Sequence, residues 1–120
     1  TRGLYMQNRR IFDRAMSYAK TVFLFYDIIG YVRDLSETGL RVDIFADSIP
    51  DLGEQVHTTL ISHPDLGLDP FNVITQVRWG KEDGPMVAVG LKIIGFSSLH
   101  GKETYGKLVQ IFEELKSATV

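Results

Sequence analysis

Apolar residues recur at steps of three and four along residues 4–37, the longest such pattern in the chain. This spacing places apolar side chains along one face of a helix, and Gly39 follows at a position suited to a left-handed C-cap. We therefore predict a long N-terminal helix, with Gly30 as a candidate kink. Residues 21–26 leave a second interpretation open, because their β-branched and aromatic side chains are also typical of a strand.

Three later segments alternate between apolar and polar side chains, which is the period of a half-buried strand. They span residues 40–46, 72–79 and 85–96. The last two are separated by a five-residue loop, residues 80–84, that begins and ends with glycine. Two strand-like runs joined by such a loop predict an antiparallel β-hairpin.

Residues 48–62 support two interpretations. Ser48 with an aspartate three positions later is typical of a helix start. However, the sequence Pro-Asp-Leu-Gly at 50–53 recurs at 64–67, and proline, aspartate and glycine together are turn chemistry. We favour turns at both places, which makes residues 54–62 a fourth strand.

The chain closes with an amphipathic helix predicted over residues 102–118. The predicted fold class is α+β, because helices need a sheet face on which to bury their apolar stripes. It comprises a long N-terminal helix, straight or kinked, a three- or four-stranded antiparallel meander sheet, and a C-terminal helix packed on the sheet. A length of 120 residues is typical of one domain, so we interpret residues 1–120 as a single unit.

Composition narrows the classes of function. The chain has no cysteine, which excludes disulfides, thiolate zinc sites and cysteine nucleophiles and is typical of a reducing, cytoplasmic location. A net charge of −2 does not favour nucleic-acid binding by the whole domain. The apolar run at residues 21–32 contains Asp27 and is shorter than the roughly 20 residues of a spanning helix, so we expect no membrane span.

Charge is distributed unevenly along the chain. Residues 1–20 hold five basic residues and one acidic residue, a balance of +4, so residues 21–120 carry −6. Arg9, Arg10 and Arg14 lie near the start of the predicted helix, where the helix dipole disfavours cations. We therefore expect an anionic partner at this segment, such as a phosphate, a nucleic acid, a lipid head group or an acidic protein.

The predicted N-terminal helix is longer than one small sheet needs. A straight helix over residues 4–37 would be about 50 Å long, so part of it would leave apolar surface bare, which usually marks an interface. An open meander also has two edge strands that need covering. We expect a homo-oligomer or a protein partner, with an interface formed by Leu4, Tyr5, Met6, Arg9, Arg10, Ile11, Phe12 and Arg14.

Candidate binding chemistry lies where the last strand meets the last helix. Residues 95–103 occupy the context of a phosphate-binding loop, but five residues separate the glycines, and Glu103 stands where a magnesium-binding hydroxyl belongs. A weaker anion site remains open, since free N–H groups at a helix N-terminus attract anions. The candidate ligand-binding residues are Ser97, Ser98, His100 and Lys102, with Ser98 also a candidate N-cap.

The sequence meets no catalytic or metal-binding template. His57, His63 and His100 lack the spacing of a zinc-binding helix, and no nucleophile elbow occurs. We predict no catalytic residue, metal or cofactor, and favour a non-catalytic interaction or structural module that acts through homo-oligomerisation or within a larger assembly. Two alternatives stay open: a small enzyme or anion- or ligand-binding domain with its site at residues 97–102, and nucleic-acid contact through the N-terminal arginines.

Overall fold

The computed structural model describes residues 19–23 and 28–119. Within them, six antiparallel strands form a closed barrel, with the order β1-β2-β3-β6-β5-β4 around it, and one α-helix follows. The elements are β1 (Ala19–Phe23), β2 (Ile28–Leu35), β3 (Gly39–Ile44), β4 (Gln55–Ser62), a 3₁₀ turn (Pro64–Leu66), β5 (Phe71–Asp83), β6 (Met86–Phe96) and α1 (Leu99–Thr119).

The predicted N-terminal helix is wrong where the structure can test it, because β1 and β2 occupy that part of the chain. In β2 the side chain of Val32 is buried, whereas Ile29 and Tyr31 are exposed. The two-residue period of a strand is hidden in the sequence, since the outward face of β2 also carries apolar residues. The strand interpretation of residues 21–26 is confirmed for residues 21–23, which belong to β1. The parts of the predicted helix before Ala19 and at residues 24–27 lie outside the described residues.

The predicted open meander is also wrong, because the sheet closes on itself. Strand β1 pairs with β2 on one side and with β4 on the other. The open-edge argument for a covering partner therefore does not hold. The three strands expected from alternation are present as β3, β5 and β6. The strand favoured for residues 54–62 is present as β4, and the two Pro-Asp-Leu-Gly segments are turns with Gly53 and Gly67 at positive φ.

The β5–β6 hairpin is longer than its sequence pattern predicts. Pairing continues to Asp83 opposite Met86, so the loop contains only Gly84 and Pro85. The register shifts between Val77 and Trp79, which marks a β-bulge. The bulge turns Trp79 outward, away from the buried face on which the sequence pattern places it.

The core fills the barrel and the space between the barrel and α1. Helix α1 contributes the stripe predicted for it, since Tyr105, Leu108 and Phe112 are all buried. The ring of Tyr105 packs against Phe71 and Phe96, with centroid distances of 6.3 and 5.6 Å. The helix thus covers the barrel next to β2, β5 and β6 and brings Tyr105 close to the loop that follows β2.

Candidate functional site

The segment over residues 34–39, here called the polar turn, joins the end of β2 to the start of β3 and has a defined hydrogen-bonded shape. The N–H of Ser36 donates to the carbonyl of Gly39 at 2.8 Å. The N–H of Ile93 donates to the carbonyl of Thr38 at 2.9 Å, which ties the turn to the neighbouring strand β6. The left-handed helix C-cap predicted for Gly39 is wrong, because Gly39 begins β3 and is not among the glycines with positive φ.

Tyr105 of α1 holds this turn through its hydroxyl group, an arrangement here called the Tyr105 clamp. Its hydroxyl donates to the carbonyl of Ser36 at 2.7 Å and lies 3.2 Å from the carbonyl of Gly39. Burial raises the pKa of the Tyr105 phenol well above its ordinary value, and the negative charge of Asp34 raises it further. The hydroxyl therefore stays protonated and remains a donor to the turn.

Replacing Tyr105 with phenylalanine is expected to lower the free energy of unfolding by about 1–2 kcal/mol, because two turn carbonyls lose their donor. The difference between the two proteins should shrink above about pH 10. There the tyrosine ionises in the unfolded wild type but not in the folded one, which lowers the free energy of unfolding, and the phenylalanine variant has no such group at this position. Urea unfolding at pH 7 and about pH 11 measures both effects. Tyr31→Phe is the matched control, because Tyr31 lies on the exposed outer face of the barrel. Equal decreases in the free energy of unfolding for the two variants would contradict the Tyr105 clamp.

Beside the turn lies an open cavity of about 450 Å³, here called the turn cavity, which residues of the turn and of β3, β5 and β6 line. Its lining includes three basic side chains, Arg41, Arg78 and Lys92, and one acidic side chain, Asp34. Far apart in the sequence, the three basic residues meet because β3, β6 and β5 are neighbours in the barrel. Arg41 also lies 4.0 Å from a carboxylate oxygen of Asp83 on β5. Among the described lining residues cations still outnumber carboxylates, a balance that favours an anionic ligand.

Trp79 forms a flat wall of the turn cavity. Its indole ring is 41% exposed and lies against the backbone of Gly90, where a Cβ atom would overlap the ring. The guanidinium carbon of Arg41 lies 5.9 Å from the ring centroid, within cation–π range. Gly90 therefore lets the ring pack closely on β6, while 41% of the residue stays exposed and accessible to a planar ligand group.

The residues predicted to bind a ligand at 97–102 are brought together only in part. Ser98 and Lys102 line a second open cavity of about 500 Å³, whereas neither Ser97 nor His100 does. The Oγ atom of Ser98 accepts a hydrogen bond from the N–H of Gly101 at 3.0 Å, which is an N-cap contact. A ligand site at these residues stays a prediction, and the turn cavity is a different place on the barrel.

Other sequence predictions concern residues outside the described ranges, or the absence of a metal site and of a membrane-spanning helix. The eight predicted interface residues, from Leu4 to Arg14, lie outside residues 19–23 and 28–119. In those described ranges, no group of three or more histidine, aspartate or glutamate side chains is placed to hold a metal ion. The same part of the chain contains no helix with the length and apolarity needed to cross a membrane.

Sequence reasoning missed the turn cavity. Two signals point toward it: the polar run at residues 34–39 between two β-rich segments, and Trp79, the only tryptophan in the chain. Neither signal shows that Arg41, Arg78 and Lys92 converge, because that follows from strand order alone.

Comparison with known proteins adds an independent finding. The family model described as the PilZ domain matches residues 8–110, which is most of the chain and includes the whole turn cavity. No curated protein matches the sequence.

Proposed function

This chain belongs to the PilZ domain family, and from that premise we propose that it is a regulatory module that binds cyclic di-GMP in the turn cavity. PilZ domains are small β-barrel-like domains known to bind this nucleotide. The observation that carries the proposal is the meeting of three basic side chains and one exposed tryptophan beside a clamped polar turn. The ligand-binding alternative drawn from the sequence is therefore better supported than its favoured reading as an oligomerisation module.

The charge of the turn cavity suits the phosphates of the ligand. Cyclic di-GMP is a ring of two guanosine nucleotides joined by two phosphodiesters, each of which carries one negative charge. Arg41 and Arg78 provide planar guanidinium groups, which pair with phosphate oxygens or with the O6 and N7 atoms of guanine through two parallel hydrogen bonds. Lys92 adds a point charge from β6.

The exposed surface of Trp79 suits a guanine base. Stacking of a base on an aromatic side chain contributes about 1–3 kcal/mol to binding. Arg41 approaches the same indole ring at 5.9 Å, so one guanidinium lies close to both the stacking surface and the phosphate region. A purine and its phosphate therefore have binding partners within one cavity.

The polar turn supplies acceptors for the edge of the base. The Watson–Crick edge of guanine presents N–H donors at N1 and N2, which carboxylate and hydroxyl oxygens accept. Asp34 and Ser36 line the turn cavity with such oxygens. We assign them to recognition of guanine, which would favour cyclic di-GMP over its adenine counterpart.

The N-terminal arginines fit the same proposal. Arg9, Arg10 and Arg14 fall within the range matched by the family model, and the anionic partner expected for them has the chemistry of a phosphodiester. Their contact with a nucleic acid stays a prediction without further support, as do a homo-oligomer, a single domain over residues 1–120 and a cytoplasmic location.

Fluorescence titration with cyclic di-GMP tests the function. Because Trp79 is the only tryptophan, its emission is expected to change on binding and to saturate. Trp79→Ala should weaken binding by about tenfold or more, which is the loss of one stacked base, while Trp79→Phe should retain most of the affinity. Calorimetric titration supplies the affinity of the variant that lacks the fluorophore.

Two controls make the result specific. Phe45→Ala removes another exposed aromatic ring, 59% exposed and outside the turn cavity, and should leave nucleotide affinity unchanged. Cyclic di-AMP has the same phosphates and should bind more weakly. Absence of binding by the wild-type chain would overturn the proposed function, and wild-type affinity in Trp79→Ala would overturn the stacking role.

A further inference from the structure

A third cavity, here called the acidic groove, lies at the other end of strands β3 and β6. It is an open cavity of about 740 Å³ formed by the segment that follows β3 and by the turn before β6, including Phe45, Ile49 and Pro85. The turn cavity lies where β3 begins, at Gly39. Along β3 the two linings end at Arg41 and at Ile44, three positions and about 10 Å apart at roughly 3.3 Å per residue.

The acidic groove combines apolar and negatively charged surface. Phe45 is 59% exposed and Ile49 is 37% exposed, which is unusual for large apolar side chains on one short segment. Asp47 and Asp51 line the same groove, and none of its lining residues within the described part of the chain is a lysine, arginine or histidine. A complementary ligand therefore needs apolar side chains together with positive charge.

The groove is built against strand β5 and does not require a ligand to shape it. The side chain of Ile49 lies directly on the backbone of Gly80, where a Cβ atom would overlap it. Just beyond, the N–H of Gly53 donates to the carbonyl of Val77 at 2.8 Å. A preformed surface costs less conformational entropy on binding than a loop that must first become ordered.

From this chemistry we propose that the acidic groove docks a partner protein through a segment that carries apolar side chains flanked by lysine or arginine. The negative charge of the acidic groove distinguishes between the possible occupants. A second copy that used the same groove in a two-fold dimer would bring four carboxylates together, and an anionic lipid surface would be repelled. A cationic amphipathic helix presents the required pair of features along one face.

The proposal can be tested on the full chain without nucleotide, so its failure is distinguishable from failure of the proposed function. The probe is a synthetic amphipathic peptide of leucine and lysine of about 15 residues, with a matched peptide in which glutamate replaces every lysine. Backbone NMR shifts should change around Phe45 and Ile49 with the lysine peptide and stay unchanged with the glutamate peptide.

Substitutions in the acidic groove test which of its residues contribute to binding of the lysine peptide. Phe45→Ser and the pair Asp47→Asn with Asp51→Asn should each weaken the lysine peptide by about tenfold, as expected for a central apolar anchor and for two charge contacts. The matched controls, Leu99→Ser and the pair Asp69→Asn with Glu113→Gln, make the same changes in hydrophobicity and net charge at exposed residues elsewhere and should leave its affinity within about twofold.

Several outcomes would overturn the proposal: no binding of the lysine peptide, equal binding of the glutamate peptide, shifts that map away from the groove, or equal losses in the control variants. Self-association of the chain that Phe45→Ser abolishes would also overturn it, because the occupant would then be a second copy.

Discussion

Replacing Arg41 and Arg78 together with glutamate is expected to weaken cyclic di-GMP binding by at least about 100-fold. The lining of the turn cavity would change from three basic and one acidic side chain to one basic and three acidic side chains. The two phosphodiesters would then meet net repulsion, and two charge-assisted contacts worth about 1.5–3 kcal/mol each would be lost. Both positions are exposed, so the fold should survive, which circular dichroism can verify.

The matched control for this pair is Lys102→Glu with Lys107→Glu. Both lysines are exposed on α1, and the pair lowers the net charge of the chain by the same four units. Calorimetric titration should give nearly wild-type affinity for this control. If the lysine pair loses binding and the arginine pair keeps it, the nucleotide site lies near residues 97–102, as the sequence first indicated, and the assignment to the turn cavity is wrong.

Replacing Gly39 with alanine is expected to destabilise the barrel by about 2 kcal/mol. A Cβ atom at Gly39 would lie 2.6 Å from the carbonyl oxygen of Leu91 in the paired strand β6. That oxygen belongs to the backbone, so relief requires the strands to move apart, and overpacking of this kind costs about 1–3 kcal/mol. The displacement would also disturb the hydrogen bond from Ser36 to Gly39 and thereby weaken nucleotide binding.

Gly106→Ala makes the same chemical change in an opposite setting. Gly106 is exposed in the middle of α1, and a Cβ atom there would have no neighbour within 4 Å. Alanine is the better helix former by about 1 kcal/mol, so this variant should be more stable than the wild type. Urea unfolding measures both changes, and a shift of the same sign in the two variants would contradict the close approach at Gly39.

The C-terminal two-thirds of the fold follows from the sequence, whereas the N-terminal part does not. Alternation reveals β3, β5 and β6, in which many outward positions are polar or glycine, and the two Pro-Asp-Leu-Gly turns reveal β4 between them. In β2 the outward residues Ile29 and Tyr31 are as apolar as the buried ones, so spacing alone cannot separate a strand from a helix. Closure of the barrel through β1 and β4 depends on long-range pairing that leaves no local pattern.

The candidate site was less predictable than the fold. The sequence directs attention to Ser98 and Lys102, where serine, lysine and a helix start occur together within a few positions. The three basic side chains of the turn cavity instead lie on three different strands, and its tryptophan is turned toward it by a bulge in β5. Neither strand order nor the bulge at Val77 and Trp79 can be obtained from local spacing.

The hydroxyl of Tyr105 makes α1 a thermodynamic partner of the turn that it holds. The donor and the carbonyl of Ser36 are 69 positions apart in the chain, so this contact exists only while the helix is docked on the barrel. A ligand that favours the clamped turn must also favour the docked helix, and undocking must lower ligand affinity by the same factor. Occupancy of the cavity can therefore be detected as slower hydrogen exchange along α1.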